Sequence, residues 1–475
     1  MREPIPSQER RFESCPQRLV LKRFPIFFSS TRRETFINSF FIYNTMIPKK
    51  IWEELIADFY ERELPKIIER DIDYPLQMPI KRAISIIGPR RSGKTYSMFQ
   101  TIKKLSEKGV EKDRILYMNF EDSRLINLCL EDMNLMLNTF FELYPQNKKK
   151  KIWFFLDEIQ NVEGWERFVR SILDRENICV YLTGSSSKLL SKEISTSLRG
   201  RTLSYQVFPF SFSDYLKAVK VNSGKPVSSY QKAKLRNAFD EYLVWGGYPE
   251  TIIYKEERSR ILKEIEEVTI YRDIIERYKV ENTKVLKILF TQLIHSKEFS
   301  IHKFFNFLKS QGIKVGKNTL YNYFEYISDS LVMFPLRKFS YSYREVEQSI
   351  PKIYFVDNGL LTLKGIRDLG RLMENLVFIE LKRKGFVENE TLFYYKSPDK
   401  KEVDFVIKEK TKIKQLIQVC YDIEDYNTKE RELKSLVKAS KELECSNLLV
   451  ITLDYEGTEM FKGKKIKFIS LLNWI

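Results

Sequence analysis

Histidine is almost missing from this chain. There are two, His295 and His302, among 475 residues. Neither has a partner at ligand spacing, so both read as packing or surface groups and a histidine-built metal centre is not expected. Cysteine is scarce as well. The five, Cys15, Cys129, Cys179, Cys420 and Cys445, form no C-x-x-C pair. Their spacing gives neither a zinc site nor a disulfide framework, which suits a reducing cytoplasm. Long apolar runs are also lacking. Stretches such as "FFIYNTMI" fall well short of a membrane span, so no membrane partner is expected.

What is present is a large, aromatic and basic chain. Hydrophobic residues make up 43%, with 34 Phe and 26 Tyr, which excludes a disordered protein. The length suits about two or three domains. Lys plus Arg outnumber Asp plus Glu by 81 to 64, a net charge of +17. That excess fits a polyanionic partner, nucleic acid first, and equally a Lys- and Glu-rich solvated surface. Residues 1–45 are rich in Arg, Ser, Phe and Pro without clean periodicity. They read as a leader, transit-like or disordered, or as sequence ahead of a true start at Met46.

The segment "RAISIIGPRRSGKTYSMFQTIKKL" reads as strand, glycine loop, helix. Gly88, Pro89, Arg90, Arg91, Ser92, Gly93, Lys94 and Thr95 match the P-loop pattern in full. Its backbone N–H groups would face a β-phosphate, Lys94 would lie between β- and γ-phosphates, and the Thr95 hydroxyl would ligate Mg²⁺. ATP and Mg²⁺ are the cofactors this implies. Downstream, "KIWFFLDEIQ" is an apolar strand ending in two acids. Asp157 would hold the Mg²⁺ through water, and Glu158 would orient and deprotonate the attacking water. A further strand, "ICVYLTGSSS", would bring Thr183 or Ser185 near the γ-phosphate as a sensor. Strands at 114–120 and 202–207, with helices at 125–140 and 165–173, would complete a parallel α/β sheet. In "TSLRGR", Arg199 or Arg201 could be an arginine finger reaching a neighbouring subunit, or a plain ion pair at the sheet edge. The first option implies a homo-oligomer.

The P-loop, "LDEIQ", "YLTGSSSKLL", "LRGR", "FPFSFSDYL" and "GGYPE" follow one another from Gly88 to Glu250. In that order they resemble a large family of archaeal and bacterial AAA-like ATPases, of the P-loop class with an additional strand and a catalytic Glu. The resemblance runs from Met46 to the C-terminus. It implies that Gly88, Gly93, Lys94, Thr95, Asp157 and Glu158 are the nucleotide and catalytic positions, and it assigns no role to "GGYPE".

Residues 46–255 would then form the ATPase domain and 256–345 a helical linker with a winged helix. Here Lys and Arg exceed Asp and Glu. A helix at 301–311 ends near Gly312, a second spans Lys317–Asp329, and an extended hairpin "LVMFPLRKFSY" would form the wing. If this unit binds DNA, Lys314, Lys317, Asn318 and Tyr321 would open the recognition helix, with Arg337 and Lys338 on the wing.

Residues 346–475 resemble the Mg²⁺-dependent restriction-endonuclease-like fold in order and spacing. Glu374 or Glu380 fits its helix acid and Asp404 its strand acid. Gln418-Val419-Cys420 stands where Glu-x-Lys is expected. An amide is a far weaker Mg²⁺ ligand than a carboxylate, and a thiol carries no fixed positive charge. The domain therefore reads as a scaffold without cutting activity, in which Lys396, Lys400 and Lys401 could grip a partner. Three function classes follow: an ATPase that remodels or senses DNA, a nucleotide-gated switch with protein partners, and an ATP-driven nuclease with a relocated lysine such as Lys396.

Overall fold

A computed structural model describes residues 46–77, 80–184, 198, 200–222, 224 and 228–475. The alternative sensor Ser185, the alternative finger Arg199 and the leader at 1–45 lie outside the described residues.

The first unit is a sheet of five strands: β1 (Ala83–Ile87), β2 (Ile115–Asn119), β3 (Ile152–Asp157), β4 (Ile178–Gly184) and β5 (Thr202–Gln206). All pair in parallel, in the order β2-β3-β4-β1-β5. Every residue of β1, β3 and β4 is buried, as strands covered by helices on both faces must be. β4 lies between the P-loop strand and the acid-bearing strand β3, so the additional strand of the expected class is present. The crossover helix expected at 125–140 runs instead over Leu130–Leu143. Its start is set by Cys129, whose backbone N–H and thiol both face Asp132. The chain before it is turned by Asn127, at φ 53°.

The helix-turn-helix is found at Ile301–Ser310 and Lys317–Asp329, with Gly312 at φ 72° in the turn. The wing differs from expectation. Within "LVMFPLRKFSY" only β6 (Met333–Leu336) is a strand, and it pairs antiparallel with the distant β7 (Lys352–Phe355). A short helix, Tyr343–Gln348, lies between them. Residues 337–339 leave the ribbon for the C-terminal sheet: Phe339 N–H donates to Tyr394 C=O and Tyr394 N–H to Arg337 C=O. The Phe339 ring packs on Phe393 in that sheet's core, so a long-range apolar contact wins over the local hairpin.

The third unit is a six-stranded sheet: β8 (Leu392–Lys396), β9 (Glu402–Glu409), β10 (Lys412–Cys420), β11 (Leu448–Thr452), β12 (Gly457–Phe461) and β13 (Lys464–Ser470), ordered β12-β13-β11-β10-β9-β8. The sheet ends in the β12–β13 hairpin, whose turn has Lys462 and Gly463 both at positive φ. Strand alternation sends Phe405, Ile417 and Ile451 toward the helix Leu369–Arg383, and Val406, Leu416 and Val450 toward the helix Tyr426–Glu442. One apolar cluster runs from Phe208 through the helix-turn-helix to Leu471. The middle and last units therefore share a core, and the ribbon β6–β7 crosses the expected boundary at 345/346.

Candidate nucleotide site

The P-loop sits where the sequence puts it, between β1 and the helix Lys94–Glu107. A side chain at Gly88 would meet Val207 C=O at 2.2 Å, so β5 packs too closely for any other residue there. Gly93 caps the helix at φ 94°. Lys94 Nζ donates to Pro89 C=O at 3.1 Å and lies 3.9 Å from Glu158 Oε1. The buried Ser92 hydroxyl has no hydrogen-bond partner among the described residues. A cavity of about 500 Å³ opens here, lined by Lys94, Thr95, Glu158, Phe210 and Pro249 among others. Its wall combines phosphate-seeking groups with apolar surface that suits a base.

The two acids are held by different means. Asp157 ends β3 and is buried. One of its oxygens accepts from the Thr95 hydroxyl at 2.8 Å and from the Tyr117 hydroxyl at 2.8 Å; the other accepts from Thr183. Burial pushes this carboxyl up, against the pull of the Thr183, Thr95 and Tyr117 hydroxyls. Glu158 adopts φ 53°, a left-handed conformation uncommon outside glycine, with its N–H donating to Thr183 Oγ1 at 2.9 Å. That turn brings Glu158 to the cavity wall, while Asp157 stays buried at the end of β3. Thr183 is fully buried and its hydroxyl is used on both acids. Thr183, the expected sensor, is thereby hydrogen-bonded to both acids. Tyr117, on the neighbouring strand, was not singled out by the motifs; it stands two residues before Asn119, the register partner of Asp157, and its hydroxyl reaches the carboxylate from there.

The P-loop arginines line the same cavity and are also paired with acids. Arg90 Nε lies 2.9 Å from Asp273, and Arg91 Nη2 lies 2.7 Å from Glu264. Both acids belong to the helical segment after the sheet, so these two side chains tie the loop to the next unit. Burial opposes the charge on Arg90, but Asp273 outweighs it and holds the guanidinium above its ordinary pKa. A third arginine, Arg70, was missed. It is buried and donates to Ser92 C=O at 2.9 Å, Phe208 C=O at 2.8 Å and Asp214 at 3.2 Å. Arg201 lies beside Ala83, at the end of β1 opposite the P-loop, and pairs with Asp174. It cannot serve the site of its own chain.

Residues 80–216 match the model of an AAA domain; residues 236–369 and 369–474 match two domains of unknown function, DUF8612 and DUF4143. The uncharacterized protein MJ1544 of Methanocaldococcus jannaschii is 43% identical over 444 residues, covering 91% of this chain and 96% of that protein. This chain belongs to the same family. The family's first unit is thus a P-loop, AAA-like nucleotide-binding ATPase domain. An uncharacterized protein of Haemophilus influenzae is 29% identical over 402 residues, 82% of this chain and 93% of that one. Among solved structures, the Aeropyrum pernix ORC1 protein in complex with DNA is 13% identical with a TM-score of 0.29, covering 71% of this chain and 93% of that chain.

In the family's two further segments the expected residues divide. Lys314, Lys317, Asn318 and Tyr321 are exposed at the start of the second helix. Arg337 and Lys338 are not on a free wing. Arg337 pairs with Glu347 at 3.2 Å, and Lys338 N–H donates to Ser349 Oγ at 3.1 Å. His302 Nε2 lies 3.4 Å from Asn306 Nδ2, one turn along its helix. Among the described residues no group of three His, Cys, Asp or Glu could hold a metal, and no helix is long and apolar enough to cross a membrane.

In the last unit Glu374, Glu402 and Asp404 come together, whereas Glu380 pairs with Arg383 at 3.1 Å. The cation among them is Lys352 of β7, which no motif pointed to. Lys396 lies at the edge, paired with Glu298 and with Glu402. Gln418 donates to Glu432 at 2.7 Å. Burial pushes the Cys420 thiol up to about 12, which removes it as a nucleophile at neutral pH.

Proposed function

We propose that this protein is a Mg²⁺-dependent ATP hydrolase whose nucleotide state changes the relation between the ATPase sheet and the two units behind it. The observation that carries the reading is the single cavity shared by Lys94, Thr95 and Glu158, with buried Asp157 hydrogen-bonded to Thr95 behind it. The donor set fits the group. A hydroxyl beside a buried carboxylate is the usual hold for a hydrated Mg²⁺, and the unpartnered Ser92 hydroxyl and the loop N–H groups suit phosphate oxygens. When bound, the ion would supply charge neutralisation between the phosphates. Lys94 would add a second positive charge, Thr95 and Asp157 would hold the ion, and Glu158 would orient the water and take its proton. Thr183 and Tyr117 would keep Asp157 in place.

The change would reach the rear units through "GGYPE". Pro249 lines the cavity, and just before it Gly247 N–H donates to Asp357 Oδ2 at 2.6 Å. Asn358 follows and donates to Leu243 and Leu372 C=O, and Asn375 donates to Asn358. These bonds bind the cavity wall to the helix that carries Glu374. The exposed basic start of the second helix-turn-helix helix makes DNA the partner we favour, and Arg201 would act between copies in a homo-oligomer. The four buried thiols among the described residues suit a reducing cytoplasm. The loss of Glu-x-Lys makes DNA cutting no part of this reading.

The test is ATP turnover with and without DNA. Lys94→Ala should lose both Mg-ATP binding in calorimetry and hydrolysis. Glu158→Gln should bind and hydrolyse about 10²- to 10⁴-fold more slowly, the usual worth of a general base. Stimulation of the wild type by DNA supports the DNA reading. Turnover indifferent to DNA would favour a switch with protein partners. Absence of Mg-ATP affinity in the wild type would end the ATPase reading.

A further inference from the structure

Lys352 is a buried lysine that faces three carboxylates at once. Its Nζ lies 2.9 Å from Glu374 Oε1, 2.7 Å from Glu402 Oε1 and 2.9 Å from Asp404 Oδ1. An ammonium group has three N–H donors, and here each has a carboxylate acceptor. The acceptors arrive from different elements: Glu374 from the helix Leu369–Arg383, Glu402 and Asp404 from β9. Lysine is rarely buried without such pairing.

Each acid has a second partner besides the lysine. Tyr354 donates to Glu374 Oε1 at 2.7 Å, Val419 N–H donates to Asp404 Oδ2 at 2.9 Å, and Lys396 lies 3.1 Å from Glu402 Oε2. Three carboxylate oxygens thus converge on one point, each acid keeping a partner other than the lysine. Convergent, pre-oriented carboxylates from a helix and a strand are what a hard divalent cation takes, at a somewhat shorter reach. The centre is also accessible. A cavity of about 410 Å³ is lined by Glu374, Glu402 and Asp404, with Lys400, Lys401 and Arg431 among its other residues.

We infer that Lys352 is the built-in cation of this centre: its ammonium occupies the place of a hard divalent ion, and removing it opens a latent Mg²⁺ or Mn²⁺ site on Glu374 and Asp404. The lysine comes from the ribbon β6–β7, not from the sheet that carries the acids. Ile353 N–H donates to Lys297 C=O and Phe299 N–H to Pro351 C=O, so the same strand is fastened to the start of the helix-turn-helix. The ion cluster is thus also a staple between the middle and last units. It keeps the endonuclease-like geometry while filling the position at which such geometry would act. One ammonium offsets a single charge where a divalent ion would offset two, so metal should bind more strongly than the lysine it replaces once the lysine is gone.

The test titrates Mn²⁺ into the nucleotide-free full-length chain and follows the signal of the free aquo ion by electron paramagnetic resonance. The variants are Lys352→Met, Lys352→Met with Glu402→Gln, Asp404→Asn, and Lys352→Met with Asp404→Asn. The second keeps the charge balance by removing one cation and one carboxylate, which protects folding. Wild type and Asp404→Asn should take up Mn²⁺ alike. Both variants that keep Asp404 but lack Lys352 should gain one bound ion per chain, at least about tenfold more tightly than any uptake by wild type, as expected for a freed carboxylate set. The gain should vanish when Asp404→Asn is added. Mn²⁺ should raise the melting temperature of Lys352→Met and leave that of the wild type unchanged, and ATP turnover of Lys352→Met should match wild type. Uptake by wild type that Asp404→Asn abolishes would overturn the inference. So would folded Lys352 variants with no gain. Lysine variants that Mn²⁺ cannot fold would overturn it too, because the ion would then not replace the ammonium.

Discussion

Asp357 shows what one buried group can do to the whole chain. Its carboxylate accepts N–H groups from Gly247 at 2.6 Å and Gly359 at 2.8 Å and is shut away from water. Burial raises its pKa to about 7, against the opposing pull of those two backbone bonds and of Arg383. For an acid whose folded pKa stands above its unfolded value of 3.8, the folded state holds the proton more tightly. The contribution of this group to stability is therefore complete below about pH 4 and is lost as pH rises through about 7. The lost amount is on the order of 4 kcal/mol. Urea denaturation of wild type and Asp357→Asn between these pH values should show the difference between the two curves shrinking as the wild type ionises. A difference independent of pH would mean that Asp357 is ionised throughout. In sequence this residue is one acid of "FVDNGL"; nothing nearby says that its partner is a glycine 110 positions earlier.

At the scale of elements, local grammar and distant packing part company. The P-loop was legible because strand, loop and helix are contiguous and each glycine answers a backbone need. The acids of β3 were legible for the same reason: an apolar strand ends abruptly in Asp157 and Glu158. "GGYPE" was legible only as a turn. Its demand for glycine comes from outside, since a Cβ on Gly246, at φ 74° and ψ −161°, would stand 1.9 Å from Asp357 Oδ1. Gly246→Ala should cost about 3 kcal/mol or more, the scale of a Gly-only backbone region combined with a core overlap. Guanidinium denaturation should show a lower midpoint at unchanged slope. A shift under about 0.5 kcal/mol, the level of a neutral surface change, would mean that the junction yields freely. The wing failed as a local reading because Phe339 finds its apolar partner in another sheet. The Lys352 centre failed because a lysine on one element meets acids on two others.

At the scale of the whole molecule, the ATPase sheet has two distinct ends. The P-loop, Asp157 and Glu158 lie at the carboxyl ends of their strands, the usual place for ligands in an open parallel sheet. Arg201 lies at the other, beside Ala83 and Asp174. If it reaches a second copy's phosphate, turnover per chain should rise with protein concentration in the wild type. It should stay low and flat in Arg201→Ala, with a loss at high concentration of about 10³-fold or more, the scale of an arginine finger. Concentration-independent turnover, equal in the two proteins, would leave Arg201 as the ion pair with Asp174. Behind the sheet, the shared core from Phe208 to Leu471 means that a change at the cavity wall meets one packed body and not a string of separate domains.

Short-range sequence determined the parts whose physics is local: the phosphate loop, the acidic strand end, the helix-turn-helix and the paired strands at the rear. It also determined that Gln418-Val419-Cys420 stands where the resemblance to an endonuclease-like fold would call for Glu-x-Lys. Tertiary structure decided what depends on elements far apart in the chain. It hydrogen-bonded Thr183 to both acids, sent Arg90 and Arg91 to the acids of the next unit, joined Gly247 to Asp357, and placed Lys352 among three carboxylates. The reason lies in the range of the interactions. Backbone preference and strand alternation act over a few residues, whereas a buried charge must find its counter-charge wherever the packed chain brings one within about 3 Å, because leaving it unpaired costs several kcal/mol.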